Sequence, residues 1–485
     1  MKTKNSNLTK QTLFGFFWLA CGKASKALLQ LIILGVLARL LSPTEFGLMA
    51  LALIVISFSD IFTDLGFGPA LTQKRELSDI DIQTSFTFSV LFGVFLLVGI
   101  WFSAPLIASF FNSEKLIPIL RAISPVLFFG SVSSTPMGLM DRHMQYKESS
   151  LIQVISYIIG YGAVGIVFAA MDYGVWALVF AVIGQSFLST ILYFKYSKLS
   201  LKFSLDKASF KELMVFGGGY SLSKIFTYFG NKGEKIVVGR LLGIDALGLY
   251  ERGYQLVKFI AGLVGEIIDK VLFAPIAKKQ DDRELVGKIF LELTYITCTI
   301  LLPASFFIYN NADSIVNIIL GDKWDATIEI VQIMALSLFF LVSTRIGSTL
   351  AKSLGDVYSR ALRTLTFAIF VMLGAYFAAE WGINGVATAV TGAIAINYIL
   401  AFSQTKKLTK VGIFQFLEAH LLGIGLSVLY QLLFFVASNF LYDHIESHLI
   451  KITMSIVLMV TVYFVGYLLD YKKVVKKYFK IIFKK

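Results

Sequence analysis

Apolar runs long enough to cross a bilayer recur along the whole chain, separated by short polar connectors. They predict helices at 12–38, 46–68, 82–109, 117–140, 150–170 and 174–195. A basic amphipathic connector, KYSKLSLKFSLDKASFK at 195–211, follows. A second group is predicted at 212–238, 246–274, 286–309, 327–350, 360–379 and 382–403, and two more helices at 415–440 and 449–470. Each run reaches or exceeds the roughly 20 residues that a membrane helix needs. The expected fold is an all-α membrane protein of about fourteen transmembrane helices. It comprises two pseudo-symmetric six-helix lobes, 1–200 and 201–405, with two additional helices and a basic cytoplasmic tail in 406–485.

Composition agrees with the pattern. Of 485 residues, 56% are hydrophobic and only 15% charged, and the mean hydropathy is +0.75. A soluble chain carries about 25% charged residues, so this one has too little polar surface to cover a water-soluble core. A secreted enzyme, a coiled coil and a disulfide scaffold are excluded. No connector is long enough for a catalytic domain, so a transporter rather than an enzyme is expected. The two cysteines, Cys21 and Cys298, lie inside apolar runs and read as small buried hydrophobes. The N-terminal segment has a basic start but no small-residue cleavage site, and reads as the first span.

The net charge of +13 is distributed with a sign rule. With the N-terminus inside, the inner ends of the predicted spans hold 29 Lys and Arg and the outer ends 6. The outer six are Arg39, Lys115, Arg121, Arg240, Lys323 and Lys451. Loops on the cytoplasmic side carry such an excess, and a miscounted helix would invert the bias downstream. The charge is therefore a topology signal and a contact with anionic lipid; no nucleic-acid partner is expected.

The halves also repeat. Arg39-Leu-Leu-Ser-Pro-Thr-Glu-Phe-Gly-Leu matches Arg240-Leu-Leu-Gly-Ile-Asp-Ala-Leu-Gly-Leu at an offset of 201, which Lys23 and Lys224 share. Asp172-Tyr-Gly-Val-Trp matches Glu380-Trp-Gly-Ile-Asn at 208, and Leu127-Phe-Phe matches Leu338-Phe-Phe at 211. Six helices separate equivalent positions, so the repeat is parallel, with its pseudo-twofold axis along the membrane normal.

An ordered set of segments carries a family resemblance. In the first half these are ARLLSPTEFGLMALA (38–52), FTDLGFGPALTQKRELS (62–78), PMGLMDRHMQYKESS (136–150) and YGVWALV (173–179). In the second they are VVGRLLGIDALGLYERGYQL (237–256), VLFAPIAKKQDD (271–282), ILGDKW (319–324) and SLGDVYSR (353–360). Together they resemble the polysaccharide-exporting branch of the multidrug/oligosaccharidyl-lipid/polysaccharide (MOP) flippase superfamily, of Wzx and colanic-acid-exporter type, over nearly the whole chain to about residue 405. One departure is Asn231-Lys-Gly-Glu-Lys235, where relatives more often carry Asp-Lys. The resemblance implies movement of an undecaprenyl-diphosphate-linked oligosaccharide from the cytoplasmic to the periplasmic leaflet, for O-antigen, capsule or exopolysaccharide assembly. It further implies alternating access of two lobes, no nucleotide site and no cofactor. The implied location is the bacterial inner membrane, with both termini cytoplasmic. Polysaccharide polymerase and glycosyltransferases are the implied protein partners.

Ionisable residues inside spans are costly and are functional candidates by default. Lys23, Lys26, Lys224, Lys258 and Arg345 are the substrate-binding candidates, since cations would offset the desolvation of a lipid diphosphate. A Lys23–Asp60 ion pair that merely ties two helices together is the competing reading. Asp60, Asp64, Glu234 and Glu292 are candidates to carry a coupling H+ or Na+. No metal site is expected: Asp443-His-Ile-Glu-Ser-His448 lies in an outer loop and reads as a solvated turn. Arg39 and Arg240 end their helices, a position suited to C-terminal capping. The rival function is a drug or small-solute cation antiporter of the same superfamily, for which fewer basic and more acidic groups in the spans would be expected.

The loop charges predict that a cysteine at position 205 is protected from an impermeant thiol reagent added outside intact cells. Outside labelling there would overturn the fourteen-span topology.

Overall fold

The computed structural model describes residues 18, 22, 25–63, 68, 71, 72, 74, 76–197, 202–278, 281–440, 445 and 447–470. Every regular element among them is a helix. The first, α1, covers 25–40. It is followed by α2 (Pro43–Thr63), α3 (Asp79–Phe110), α4 (Leu116–Arg142), α5 (Tyr146–Ala170) and α6 (Val175–Ser197). Two long helices come next, α7 (Lys207–Leu241) and α8 (Ile244–Lys278). Then come α9 (Arg283–Asn310), the short α10 (Ala312–Ile319), α11 (Ile328–Ala335) and α12 (Leu338–Ser353). The last four are α13 (Val357–Ala378), α14 (Gly382–Thr409), α15 (Ile413–Phe440) and α16 (His448–Asp470).

Among the described residues nine helical runs are long and apolar enough to cross a membrane, ten when the bent pair α11–α12 counts as one span. The sequence predicts one helix over 327–350 here. It bends by 45° where the Ser337 amide and hydroxyl both turn back to the Met334 carbonyl, at 2.9 and 2.6 Å. Replacing the i→i−4 pattern with these shorter bonds is a recognised cause of a kink.

Helix starts are set by polar caps at the water boundary. Ser78 and Asp81 cap each other at the start of α3. The Ser42 amide donates to Glu45 Oε2 at 2.7 Å ahead of α2. Asp206 accepts from the Ser209 amide at 2.8 Å, and Asp282 from Leu285 at 3.0 Å. Each satisfies a backbone donor that the first helical turn leaves over. The Ser209 amide holds the Asp206 carboxyl below its usual pKa range. At its far end α1 is closed by Arg39, whose Nη1 donates to the Gly35 carbonyl at 3.2 Å.

The chain divides into two compact units, 1–251 and 252–485, with the division inside α8. In the first unit α3 packs on α4, α4 on α6, and α5 on α6. Hydroxyl pairs join these helices: Ser85 to Thr135 at 3.0 Å and Ser133 to Thr190 at 2.8 Å. Such pairs, and small residues at close crossings, hold helices together in a lipid solvent that offers no hydrophobic drive. The connector after α6 lies against α3: the Ser204 amide donates to Thr87 Oγ1 and the Asp206 amide to Thr84 Oγ1, both at 3.0 Å. Lys74 clasps the same end, with its ammonium 2.9 Å from both Glu212 and Asp81. Hydrogen bonds to Glu212 and Asp81 raise its pKa above the ordinary lysine range.

One crossing in this unit is reciprocal. A Cβ on Gly47 would collide with the Ile244 carbonyl, and a Cβ on Gly248 with the Pro43 carbonyl. Gly47 and Gly248, and likewise Pro43 and Ile244, are related by the repeat offset of 201. The starts of α2 and α8 therefore touch backbone to backbone through equivalent residues, as an isologous contact does.

In the second unit α9 packs along α15, α12 along α14, and α13 along α14. Cys298 is buried and sits against Gly423 of α15, where a Cβ would meet its sulfur; Cys21 lies outside the described residues. The last helix joins through Tyr463, whose hydroxyl donates to the Ile300 carbonyl at 2.6 Å.

The glycine crossing predicts that Gly47→Ala destabilises the protein by about 1–3 kcal/mol, the cost of overpacking. Gly99→Ala, where a Cβ meets nothing within 4 Å, should be close to neutral. Thermal unfolding of the detergent-solubilised protein compares the two; equal effects would show that the crossing carries no steric constraint.

Candidate functional site

Two helices of membrane-spanning length fall outside the strongly apolar set. α7 and α8 have 35 residues each, and charges fall inside them: Lys224, Lys232, Glu234 and Lys235 from the middle of α7 onward, and Glu251, Arg252 and Lys258 in the first half of α8. At 1.5 Å per residue the stretch from Lys224 to Lys235 covers about 16 Å of α7, too long to be one polar end.

The densest group lies in the first unit. The Lys235 ammonium forms an ion pair with the Glu251 carboxylate, joining α7 to the start of α8. Lys235 is only 3% exposed and Glu234 only 1%. Lys232, half-buried, is within electrostatic reach of Lys235, Glu251 and Glu234. Nearby, the Tyr228 hydroxyl donates to the Ile54 carbonyl at 2.8 Å and ties α7 to α2. A low-dielectric setting makes each unpaired charge costly and each paired one position-sensitive.

The candidate residues distribute over both units. Lys26 on α1 and Lys224 on α7 are half-buried, and Asp60 on α2 is exposed, near Gly130 of α4. Glu234 is buried in the cluster just described. Lys23 and Asp64 lie outside the described residues, so the Lys23–Asp60 pairing does too. In the second unit, Lys258 lies with its ammonium 5.1 Å from the Tyr254 ring centroid. Two turns along the same face of α8, Gly265 gives its missing side chain's place to Arg345, whose Cδ, Nε and Nη1 crowd the position of a Cβ. The structure thus brings Lys258 and Arg345 to one face of α8, seven residues or about 10 Å apart. Glu292 is half-buried on α9.

Several polar groups were not singled out in the sequence. Lys232, Lys235 and Glu251 were visible only as part of a motif; their charge density within a span is the signal that marks them. His420, inside α15, was passed over. Its Nδ1–H donates to the Phe416 carbonyl at 2.6 Å, leaving Nε2 to accept from the Tyr398 hydroxyl at 2.8 Å. Arg240, beyond its place at the helix end, stacks 5.5 Å from the Phe110 ring centroid. Of the outer-loop motif only Ile445, Ser447 and His448 are described. His448 lies 3.1 Å from the Ser314 hydroxyl and 3.5 Å from Asp313.

Comparison with known proteins bears on what such a membrane fold does. A family model described as polysaccharide biosynthesis protein matches residues 36–329. The lipopolysaccharide biosynthesis protein WzxC of Escherichia coli is 26% identical over 390 residues, 78% of each chain. The teichuronic acid biosynthesis protein TuaB of Bacillus subtilis is 24% identical over 335 residues, 68% of each chain. Among solved structures, the lipid II flippase MurJ in an inward closed conformation superposes with a TM-score of 0.78 at 14% identity. That match covers 94% of this chain and 98% of the other. An inward-facing MATE-family multidrug resistance transporter of the MOP superfamily gives 0.61 at 14% identity, covering 81% and 99%.

The Lys235–Glu251 pair sets a test of the cluster. Lys235→Leu or Glu251→Leu alone is expected to destabilise by up to about 3–5 kcal/mol, because each removes one side of a buried ion pair. The double substitution should recover most of that loss in detergent thermal unfolding. A double variant as damaged as the sum of the singles would show that the two do not act as a pair.

Proposed function

The chain belongs to the polysaccharide biosynthesis protein family, the polysaccharide-exporting branch of the MOP flippases, whose model matches residues 36–329. From that premise we propose that this transporter moves an undecaprenyl-diphosphate-linked oligosaccharide from the cytoplasmic to the periplasmic leaflet of the bacterial inner membrane. The family match is the observation that carries this reading. The fold alone does not separate it from drug antiport, since flippase and MATE structures both superpose.

The chemistry of the spans supports an anionic cargo. A diphosphate must leave water before it reaches the far leaflet, and transfer of an isolated charge into an apolar medium costs far more than any single contact returns. Lysine and arginine along the path supply that compensation, the lysine ammonium as a point charge on a flexible stem and the arginine guanidinium as a planar fork. We assign this role to Lys23, Lys26 and Lys224 in the first unit and to Lys258 and Arg345 in the second. The oligosaccharide needs only an aqueous path; the diphosphate sets the electrostatic requirement.

Alternating access follows from the repeat. The two six-helix lobes, 1–200 and 201–405, rock so that one side of the path opens as the other shuts. By the loop charges the Pro43–Gly47 and Ile244–Gly248 segments lie at the outer face. Their backbone contact is the closed state of the outer side, which must part for release. Asp60, Asp64, Glu234 and Glu292 are the groups through which an H+ or Na+ gradient drives the cycle; Glu234, beside the Lys235–Glu251 pair, is the best placed to link protonation to helix position. Both termini are cytoplasmic in this scheme, on the side where glycosyltransferases build the cargo, and the polymerase receives it outside.

Deleting the gene is expected to abolish surface display of a polysaccharide while lipid-linked repeat units accumulate inside. Complementation with Lys224→Ala should fail at normal membrane levels of the protein, and Lys224→Arg should restore part of the display. Unchanged surface polymer with raised sensitivity to cationic drugs would instead establish the antiporter.

A further inference from the structure

The second unit holds a groove lined by none of the residues assigned to the cargo. It lies between α13 and α14, with a volume of about 440 Å³. Asp356, Ser359, Leu362, Arg363 and Thr366 form one wall, a stripe at helical spacing; Leu400, Ser403, Gln404, Lys407 and Leu408 form the other.

Its floor is chemically unfinished. Arg363 is only 8% exposed. Its Nη2 donates to the Ser348 hydroxyl at 2.5 Å, but Nε and Nη1 are buried with no hydrogen-bond partner among the described residues. Gln404 is in a matching position. Its amide donates to Asp356 Oδ2 at 2.8 Å, and its Oε1 is buried with no donor. The Asp356 carboxylate is already engaged, since Ser359 donates to its other oxygen at 2.6 Å. Burial pushes its pKa up, but the bonds from Gln404 and Ser359 outweigh that and hold it below the ordinary carboxylate range. It therefore balances part of the guanidinium charge without occupying the two free N–H groups.

The rim has a different character. Leu362 is 65% exposed, and from it Thr366, Ile369 and Leu373 continue one face of α13 toward the middle of the helix. Ile369 and Leu373 are exposed apolar residues too. At the other end Lys407 lines the groove, with Arg360, Lys406 and Lys410 close to it along the chain, at the ends of α13 and α14 that the loop charges place in the cytoplasm. A cationic mouth, a floor with spare donors and one spare acceptor, and an apolar track leading inward match one kind of molecule.

We propose that this groove is a binding site for an anionic glycerophospholipid of the cytoplasmic leaflet, with phosphatidylglycerol as the fitting headgroup. The phosphate takes the Arg363 Nε–H and Nη1–H pair, in the two-pronged geometry that a guanidinium offers. A headgroup hydroxyl donates to Gln404 Oε1. Lys407 closes the mouth, and the acyl chains run along Leu362, Ile369 and Leu373. Phosphatidylcholine has no headgroup hydroxyl and brings a cation to a cationic mouth, so it is disfavoured. The site is independent of the transported cargo, and it would fasten α13 to α14 at the inner membrane surface.

Native mass spectrometry of the full-length protein, released from nanodiscs containing phosphatidylglycerol and phosphatidylcholine, tests this. The wild type is expected to retain one phosphatidylglycerol selectively. Arg363→Gln and Lys407→Gln should each weaken retention by roughly tenfold, the loss of one charge-assisted hydrogen bond. Thr366→Trp keeps Arg363 but fills the groove, and should lose the lipid even if Arg363→Gln fails to fold. Lys451→Gln, at the opposite face, should leave retention unchanged. Equal retention by wild type and Thr366→Trp would overturn the proposal. So would thermal stabilisation by inorganic phosphate equal to that by phosphatidylglycerol, which would make this a free-anion site.

Discussion

A charge that enters a bilayer must bring its compensation with it. An ionisable side chain in the middle of a membrane helix costs at least about 2.5–3.5 kcal/mol on insertion scales, and more when no partner is at hand. That cost sorts this chain. Most of its helices are apolar along their length and present leucine, phenylalanine and isoleucine outward, as α3 does with Phe95, Phe102 and Leu106. α7 and the start of α8 carry the densest group of buried charges. There Lys235 and Glu251 meet, with Glu234 and Lys232 alongside. In the second unit a glycine on α8 yields its side-chain space to Arg345.

The second constraint is steric. At the starts of α2 and α8 the backbones touch because Gly47 and Gly248 leave no side chain between them. Side chains in such a contact would hold the helices several ångströms apart and leave a path between them. The reciprocity of the contact, glycine to its partner's helix start in both directions, is what a parallel repeat around an axis along the membrane normal produces.

Helix placement was legible because lipid removes the usual ambiguity. A continuous apolar run of this length has no other use, and caps such as Ser78 and Asp206 sit where the polar pattern resumes. The expected 382–403 helix runs on to Thr409, with Lys406 and Lys407 in its last turn, where cations suit the negative end of the helix dipole. What a linear reading could not give was pairing across helices. Glu251 looked like one charge in a motif, and its value lies in Lys235, sixteen residues away on another helix. The bend at Ser337 was hidden for a different reason. No proline marks it, and the two bonds to the Met334 carbonyl exist only in the folded chain. The lysine candidates were legible as candidates, since depth can be counted along a span; their faces could not be.

The central claim, that this chain carries a polyprenyl-diphosphate-linked sugar across a bilayer, is tested most directly in proteoliposomes. The purified protein is reconstituted with a fluorescent undecaprenyl-diphosphate oligosaccharide in the outer leaflet. The fraction reaching the inner leaflet is read from its protection against a membrane-impermeant quencher, with and without an imposed H+ or Na+ gradient. The account predicts protein-dependent protection that Lys224→Ala removes. A protein that leaves the labelled lipid fully quenchable under either gradient, while moving a cationic dye, would contradict it.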